Sequence, residues 1–237
     1  MASNRRWRWL GLTAQNRLGR FSVLLFAILA LMVVQPLFAG HALEQSLLTV
    51  MLAPVLLSAV FAFRASKTYL VIATVLMVPT FVARLALAFT FNWTVELLAT
   101  VLSALFLLVT VVALVSRLFS VRSVTLDMIS AAVCAYLLMG IAWGFLFAAV
   151  ELVHPNSFSA ALLQSGPSSV APVIRSLHTF FYYSFVTLTT TGYGDIVPVS
   201  DSARILSILE AVVGTLYIAI LISRLVSLEL ARSMKEP

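Results

Sequence analysis

Residues 182–198 read Tyr182-Tyr183-Ser184-Phe185-Val186-Thr187-Leu188-Thr189-Thr190-Thr191-Gly192-Tyr193-Gly194-Asp195-Ile196-Val197-Pro198. They end an apolar stretch, 177–191, that is rich in Thr and aromatics. At 15 residues it is too short for a membrane-crossing helix, which needs about 20. It therefore fits a re-entrant segment: a short helix that enters and a loop that returns. Gly192 and Gly194 stand two apart in the loop, where they can take φ > 0 without the penalty a Cβ brings.

A re-entrant loop needs a membrane around it, and the composition supplies one. Of 237 residues, 62% are hydrophobic and 10% charged. Soluble domains carry about 45–50% apolar and about 25% charged residues. This balance excludes a water-soluble enzyme with a single core, and it is the reverse of disorder. Cys134 is the one cysteine, so a disulfide scaffold is excluded as well; a small core residue is its simplest reading. His154 and His178 lack a third ligand at metal spacing, and no metal centre or cofactor is expected.

Working outward from the loop, long apolar runs lie at 126–153 before it and 202–226 after it. Four more precede them: 21–39, 46–63 with Pro54, 69–91 with Pro79 and Arg84, and 94–115. The expected fold is all-α transmembrane, with six spanning helices and one re-entrant helix. The basic residues set its orientation. Arg5, Arg6, Arg8, Arg17 and Arg20 precede the first run; Arg64 and Lys67 follow the second; Arg117 and Arg122 follow the fourth; Arg224, Arg232 and Lys235 end the chain. The alternate loops, 41–45 and 92–93, hold no Lys or Arg, and 151–202 holds only Arg175. Both termini are thus expected in the cytoplasm of a multi-pass plasma or inner membrane protein. The net charge of +6 is an orientation signal and does not point to nucleic acid.

Residues 1–20, with Trp7 and Trp9 among arginines, read as a basic amphipathic segment at the interface. A cleaved signal peptide is the rival reading, but the apolar run is long and lacks a clean small-residue site. The remaining divisions are a four-helix peripheral domain at 21–118, a pore domain at 119–230 and a short tail at 231–237. The outer loop, 154–175, with Pro155, Gly166, Pro167 and Pro172, reads as an irregular turret.

Thr190-Thr191-Gly192-Tyr193-Gly194 resembles the TVGYG filter of potassium channels, with Thr191 where Val is usual. Six spans with the loop between the last two resemble the voltage-gated-like superfamily. The resemblance implies a non-enzymatic, passive potassium conductor. Its K+ would be held at Thr190, Thr191, Gly192 and Tyr193 by backbone carbonyls, with the Thr190 hydroxyl as innermost ligand. It also implies Asp195 at the outer mouth and Tyr193 packed on Tyr182 and Tyr183. Thr187 would support the filter from behind. A ring of carbonyls needs four loops, and the chain has one, so a homotetramer in the bilayer with four-fold symmetry is expected. Gly214 lies where such channels place an inner-helix hinge; close packing on the pore helix is the alternative. Thr215, Ile218 and Ile222 share a helical face suited to the inner cavity.

Two departures from the superfamily matter. The fourth run, 94–115, has no Lys or Arg, whereas a voltage sensor needs several gating charges, so weak or absent voltage dependence is expected. Val186 stands where some channels carry a Glu behind the filter. Glu210, in the last span, is a candidate regulatory group that could bond a hydroxyl there. Arg84 and Glu96 are read as a structural pair across the turn at 92–93. With eleven residues after Val226, no cytoplasmic ligand-binding domain in cis is expected. Rival functions are a poorly selective cation channel, because of Thr191, and a non-conducting membrane subunit or scaffold.

Overall fold

The computed structural model describes residues 20–34, 52–53, 67–87, 92–120, 125–160 and 177–234. The N-terminal amphipathic segment, most of the second span, and the turret beyond residue 160 lie outside these. The described elements are α1 (Arg20–Val34), α2 (Lys67–Ala86), α3 (Trp93–Ser120), α4 (Leu126–Val153), β1 (Phe158–Ala160), α5 (Leu177–Leu188), β2 (Ile196–Pro198) and α6 (Asp201–Ser233). Three of them, α3, α4 and α6, are long and apolar enough to cross a membrane. α1 and α2 are apolar but shorter.

α4 is the centre of the packing. Thr125 caps it: the residue is extended and its hydroxyl accepts from the Met128 amide at 3.2 Å. Asp127 in the first turn suits the positive end of the helix dipole. Beyond the cap α4 is apolar on all sides, as a helix surrounded by others must be. α1, α3 and α5 pack along it, and α2 lies on α3. The expected boundary between peripheral and pore domains falls two residues before the end of α3. The two parts share one hydrophobic core, in which Leu24, Ile28, Phe106, Leu114, Cys134, Leu138 and Phe180 are buried together.

Gly140 and Gly144 stand one turn apart on α4 and receive two rings of α5. A Cβ on Gly140 would lie 2.6 Å from the Phe185 ring, and one on Gly144 would lie 2.3 Å from that of Phe181. Small residues four apart let transmembrane helices approach this closely.

Several expectations are corrected. α3 runs on to Ser120 and α6 to Ser233, because polar residues such as Arg117 and Arg224 extend a helix that the apolar pattern alone would end. The start of the expected turret is ordered: β1 pairs antiparallel with β2, with Ser159 opposite Val197. Arg84 makes no ion-pair contact with Glu96, whose charge acts on it only at longer range. It is buried, its Nε donates to Ser103 Oγ at 3.1 Å, and its guanidinium lies 4.8 Å over the Phe145 ring. Ser103 is seven residues beyond Glu96 on α3, about 10 Å along the axis, and the helix register sets Arg84 level with the serine.

Glu151, at the end of α4, went unnoticed in the sequence pattern. Its carboxylate accepts from the amides of Asn156 (2.8 Å), Ser157 (2.9 Å) and Phe158 (3.3 Å). It thereby fixes the turn that aims β1 at β2. Glu151→Ala leaves the buried Ser157 and Phe158 amides without an acceptor, at about 1–3 kcal/mol each. The thermal midpoint of the detergent-solubilised protein should fall markedly, and Glu151→Gln, whose amide oxygen still accepts, should recover part of the loss.

Candidate functional site

The site is built on the C-terminal end of α5. The chain leaves this helix by doubling its last hydrogen bonds. The Val186 carbonyl accepts from both Thr191 N (2.9 Å) and Gly192 N (3.3 Å), while Thr190 N reaches Thr187 O at 2.9 Å. The negative end of the α5 dipole therefore faces the strand that follows, which favours a cation there.

Along that strand the backbone alternates in hand. Thr190, Gly192 and Gly194 have φ of 58°, 58° and 78°, while Thr191 and Tyr193 between them stay at negative φ. Such alternation turns consecutive carbonyls to one side. A Cβ on Gly192 or Gly194 would touch nothing within 4 Å, so glycine is needed there for conformation and not for room. Thr190 holds the left-handed region without being glycine, a strain of about 1–3 kcal/mol with no signal in the local residue pattern. The side chain of Thr191 turns back to the helix end. Thr189 Oγ donates to Phe185 O at 2.6 Å and lies 2.8 Å from Thr191 Oγ. Since the Thr189 proton is already used, Thr191 is the donor. All five residues from Thr190 to Gly194 are exposed in the single chain.

The outer end is tied by Asp195, whose Oδ2 accepts from the Tyr182 hydroxyl at 2.6 Å and Oδ1 from the Ile196 amide at 3.1 Å. Tyr183 points the other way. Its hydroxyl lies 2.7 Å from Ser207 Oγ of α6, and because Ser207 donates to Ala203 O, Tyr183 donates here. Its ring is wedged edge-on against Phe147 and Phe158, with centroids 5.0 and 5.2 Å away. Tyr193 differs from expectation: its ring is 71% exposed and, among the described residues, stacks on neither Tyr182 nor Tyr183. The Tyr183 ring is already engaged within the chain, and the Tyr182 hydroxyl is held by Asp195.

α6 closes the back of the site and is helical without interruption through Gly214. A Cβ on Gly214 would stand 2.7 Å from both the Leu188 carbonyl oxygen and Leu188 Cδ1, so the glycine lets α6 cross hard against the end of α5. Tyr136 of α4 donates to the same Leu188 carbonyl at 3.4 Å and stacks on Tyr217 of α6, whose hydroxyl donates to Ala132 O at 2.7 Å. Glu210, one turn before Gly214, is fully buried with its Oε1 2.5 Å from Ser184 Oγ on α5. Thr215, Ile218 and Ile222 are exposed on α6, and the Thr215 hydroxyl donates to Ala211 O. At the inner end Arg224 donates to the Leu118 and Phe119 carbonyls of α3 at 3.2 and 2.6 Å, with its guanidinium 4.9 Å over the Phe119 ring. The sequence pattern did not single out Ser184, Ser207, Tyr136 or Tyr217. Their polar atoms on otherwise apolar helix faces were the available signal, since such atoms need partners when buried.

Gly214→Ala should push the end of α5 away from α6. The expected result is a lower thermal midpoint and loss of whatever activity depends on the strand. Leu188→Ala in the same chain relieves the side-chain clash but not the one with the carbonyl, so the double variant should recover only partly.

Residues 128–229, which span α4 to α6, match a family described as "Ion channel". The chain is 42% identical over 74 residues to the voltage-gated potassium channel Kch of Escherichia coli, covering 30% of this chain and 17% of that protein. It is 37% identical over 83 residues to the two pore potassium channel c of Oryza sativa, covering 35% and 18%. It is 34% identical over 89 residues to the mouse potassium voltage-gated channel subfamily A member 6, covering 38% and 16%. The chain thus spans less than a fifth of the length of these relatives. No solved structure gives a significant match. Over the helices that carry the Thr190–Gly194 strand, the chain is similar to ion channels, potassium channels among them.

Proposed function

We propose that this chain is the subunit of a potassium-selective channel, four copies of which surround one pore and conduct K+ passively. The observation that carries the reading is the alternating backbone of Thr190, Gly192 and Gly194, on an exposed strand at the negative end of a helix. In this reading the carbonyls of Thr190, Thr191, Gly192 and Tyr193 replace the hydration shell of the ion, and the Thr190 hydroxyl adds the innermost ligand. Asp195 raises the local cation concentration at the outer mouth. Gly214, Thr215, Ile218 and Ile222 form the inner helix and its cavity face.

Two features support the assembly. One strand cannot encircle an ion, and only 11% of the apolar middle of α6 is buried within the chain, against 72% for α4. α6 therefore has a large face for other copies and for the cavity. The membrane is a plasma or inner membrane with both termini cytoplasmic, by the distribution of Arg and Lys.

Gating charge is lacking where a voltage sensor would carry it. α3 has Glu96 in its first turn and Arg117 in its last, with no cation between. Each charge crossing 100 mV contributes about 2.3 kcal/mol, so α3 gives the pore little purchase on voltage.

Reconstitution in liposomes with a K+ gradient tests the reading. Wild type should pass K+, with a bi-ionic reversal potential far from zero against Na+; equal permeability would replace selectivity with a poorly selective pore. Gly192→Ala forces a left-handed alanine, costing about 1 kcal/mol per subunit, and should abolish selective flux. Flux unchanged in that variant would overturn the assignment of the strand. Open probability should vary only shallowly between −100 and +100 mV; a steep curve would require gating charge from elsewhere.

A further inference from the structure

Three oxygens meet between α4, α5 and α6. Ser184 Oγ lies 2.6 Å from the Gly140 carbonyl oxygen and 2.5 Å from Glu210 Oε1. A serine hydroxyl has one hydrogen to give. The Gly140 carbonyl can only accept, so that contact takes the Ser184 hydrogen. The contact with Glu210 then needs a second hydrogen, and the only atom there able to carry one is the carboxyl group itself.

The rest of the surroundings agree. Glu210 is 0% exposed within one chain, so a neighbouring copy cannot supply it with a partner. Its other oxygen, Oε2, is buried with no donor. A buried carboxylate needs a cation or several donors to stay charged. Among the described residues no cation stands within ion-pair distance of Glu210. Two titratable groups of the neighbouring helices feel the Glu210 carboxyl, Tyr136 of α4 and Tyr183 of α5. Both are neutral donors with their hydrogens committed elsewhere, to Leu188 O and Ser207 Oγ.

We infer that Glu210 is a neutral carboxylic acid that donates its proton to Ser184, which donates onward to the Gly140 carbonyl, so that one proton relay joins the inner helix, the pore helix and α4. Glu210 is a positioning residue: it touches no permeant ion and acts through Ser184 on the helix from which the filter strand hangs. Its importance for flux rests on the channel reading above; its protonation does not.

Infrared difference spectroscopy of the purified, detergent-solubilised protein reads the proton directly and needs no current. Wild type minus Glu210→Gln should contain the carbonyl band of a protonated carboxylic acid, and Ser184→Ala should shift that band as the acid loses its acceptor. A carboxylate pair of bands in its place would overturn the inference. Labelling the wild-type glutamates with carbon-13 gives the same readout should Glu210→Gln fail to fold. In liposomes Glu210→Gln, whose amide still donates to Ser184, should keep K+ over Na+ selectivity. Glu210→Ala should lose it. Equal loss in the two variants would mean that the donated hydrogen has no positioning role. A protonated band alongside unselective wild-type flux would uphold the acid and discard the channel reading.

Discussion

Backbone that is not helical at membrane depth has no water to satisfy it and survives only where protein does so instead. In the proposed channel, that constraint governs everything behind the strand at 190–194. Its first amides close on the carbonyls of α5, two of them on Val186 alone. α5 must then be immobile, because any drift of the helix would move the strand with it. Each of its faces is accordingly engaged. Phe181 and Phe185 sit in the groove left by Gly140 and Gly144, Ser184 and Tyr183 reach α6, and Tyr182 holds Asp195. Leu188 is pressed by Gly214 and bonded by Tyr136.

Apolar packing and polar bonding divide this work. The rings of Phe147, Phe158, Phe180 and Tyr183 meet edge-on with centroids 5.0 to 5.6 Å apart, a geometry that locks orientation as well as filling space. The hydroxyls then set depth along the axis, since each must meet one particular carbonyl or carboxyl. Glu151 performs the same service for the outer turn with three amides at once. Rings alone would permit the helices to slide; the hydroxyl bonds give the packing one register.

The membrane class, α4 in full, and the short helix with its glycine-punctuated strand were legible because each rests on local pattern: hydropathy run length, charge placement, and the residue types that tolerate φ > 0. What could not be read depends on register between helices. Arg84 faces Ser103 and not Glu96 because of where α2 lies along α3, and no spacing within either helix encodes that. β1 was hidden in a loop of turn-forming residues, since a three-residue strand has no periodicity of its own. Thr190 at positive φ follows from the demands of its neighbours. The Tyr193 ring, exposed in one chain, has a position that a single chain cannot dictate.

Two of the points that hold α6 lie far apart along it. Gly214 presses on the end of α5, and ten residues later Arg224 grips the last carbonyls of α3, about 15 Å along the axis. A helix fixed at one point is a lever with a free end; fixed at two, it is a beam. The inner end of α6 cannot swing without either breaking the arginine's grip or dragging α3 along. α3 is therefore mechanically in series with α6, and a load applied to either is felt by both.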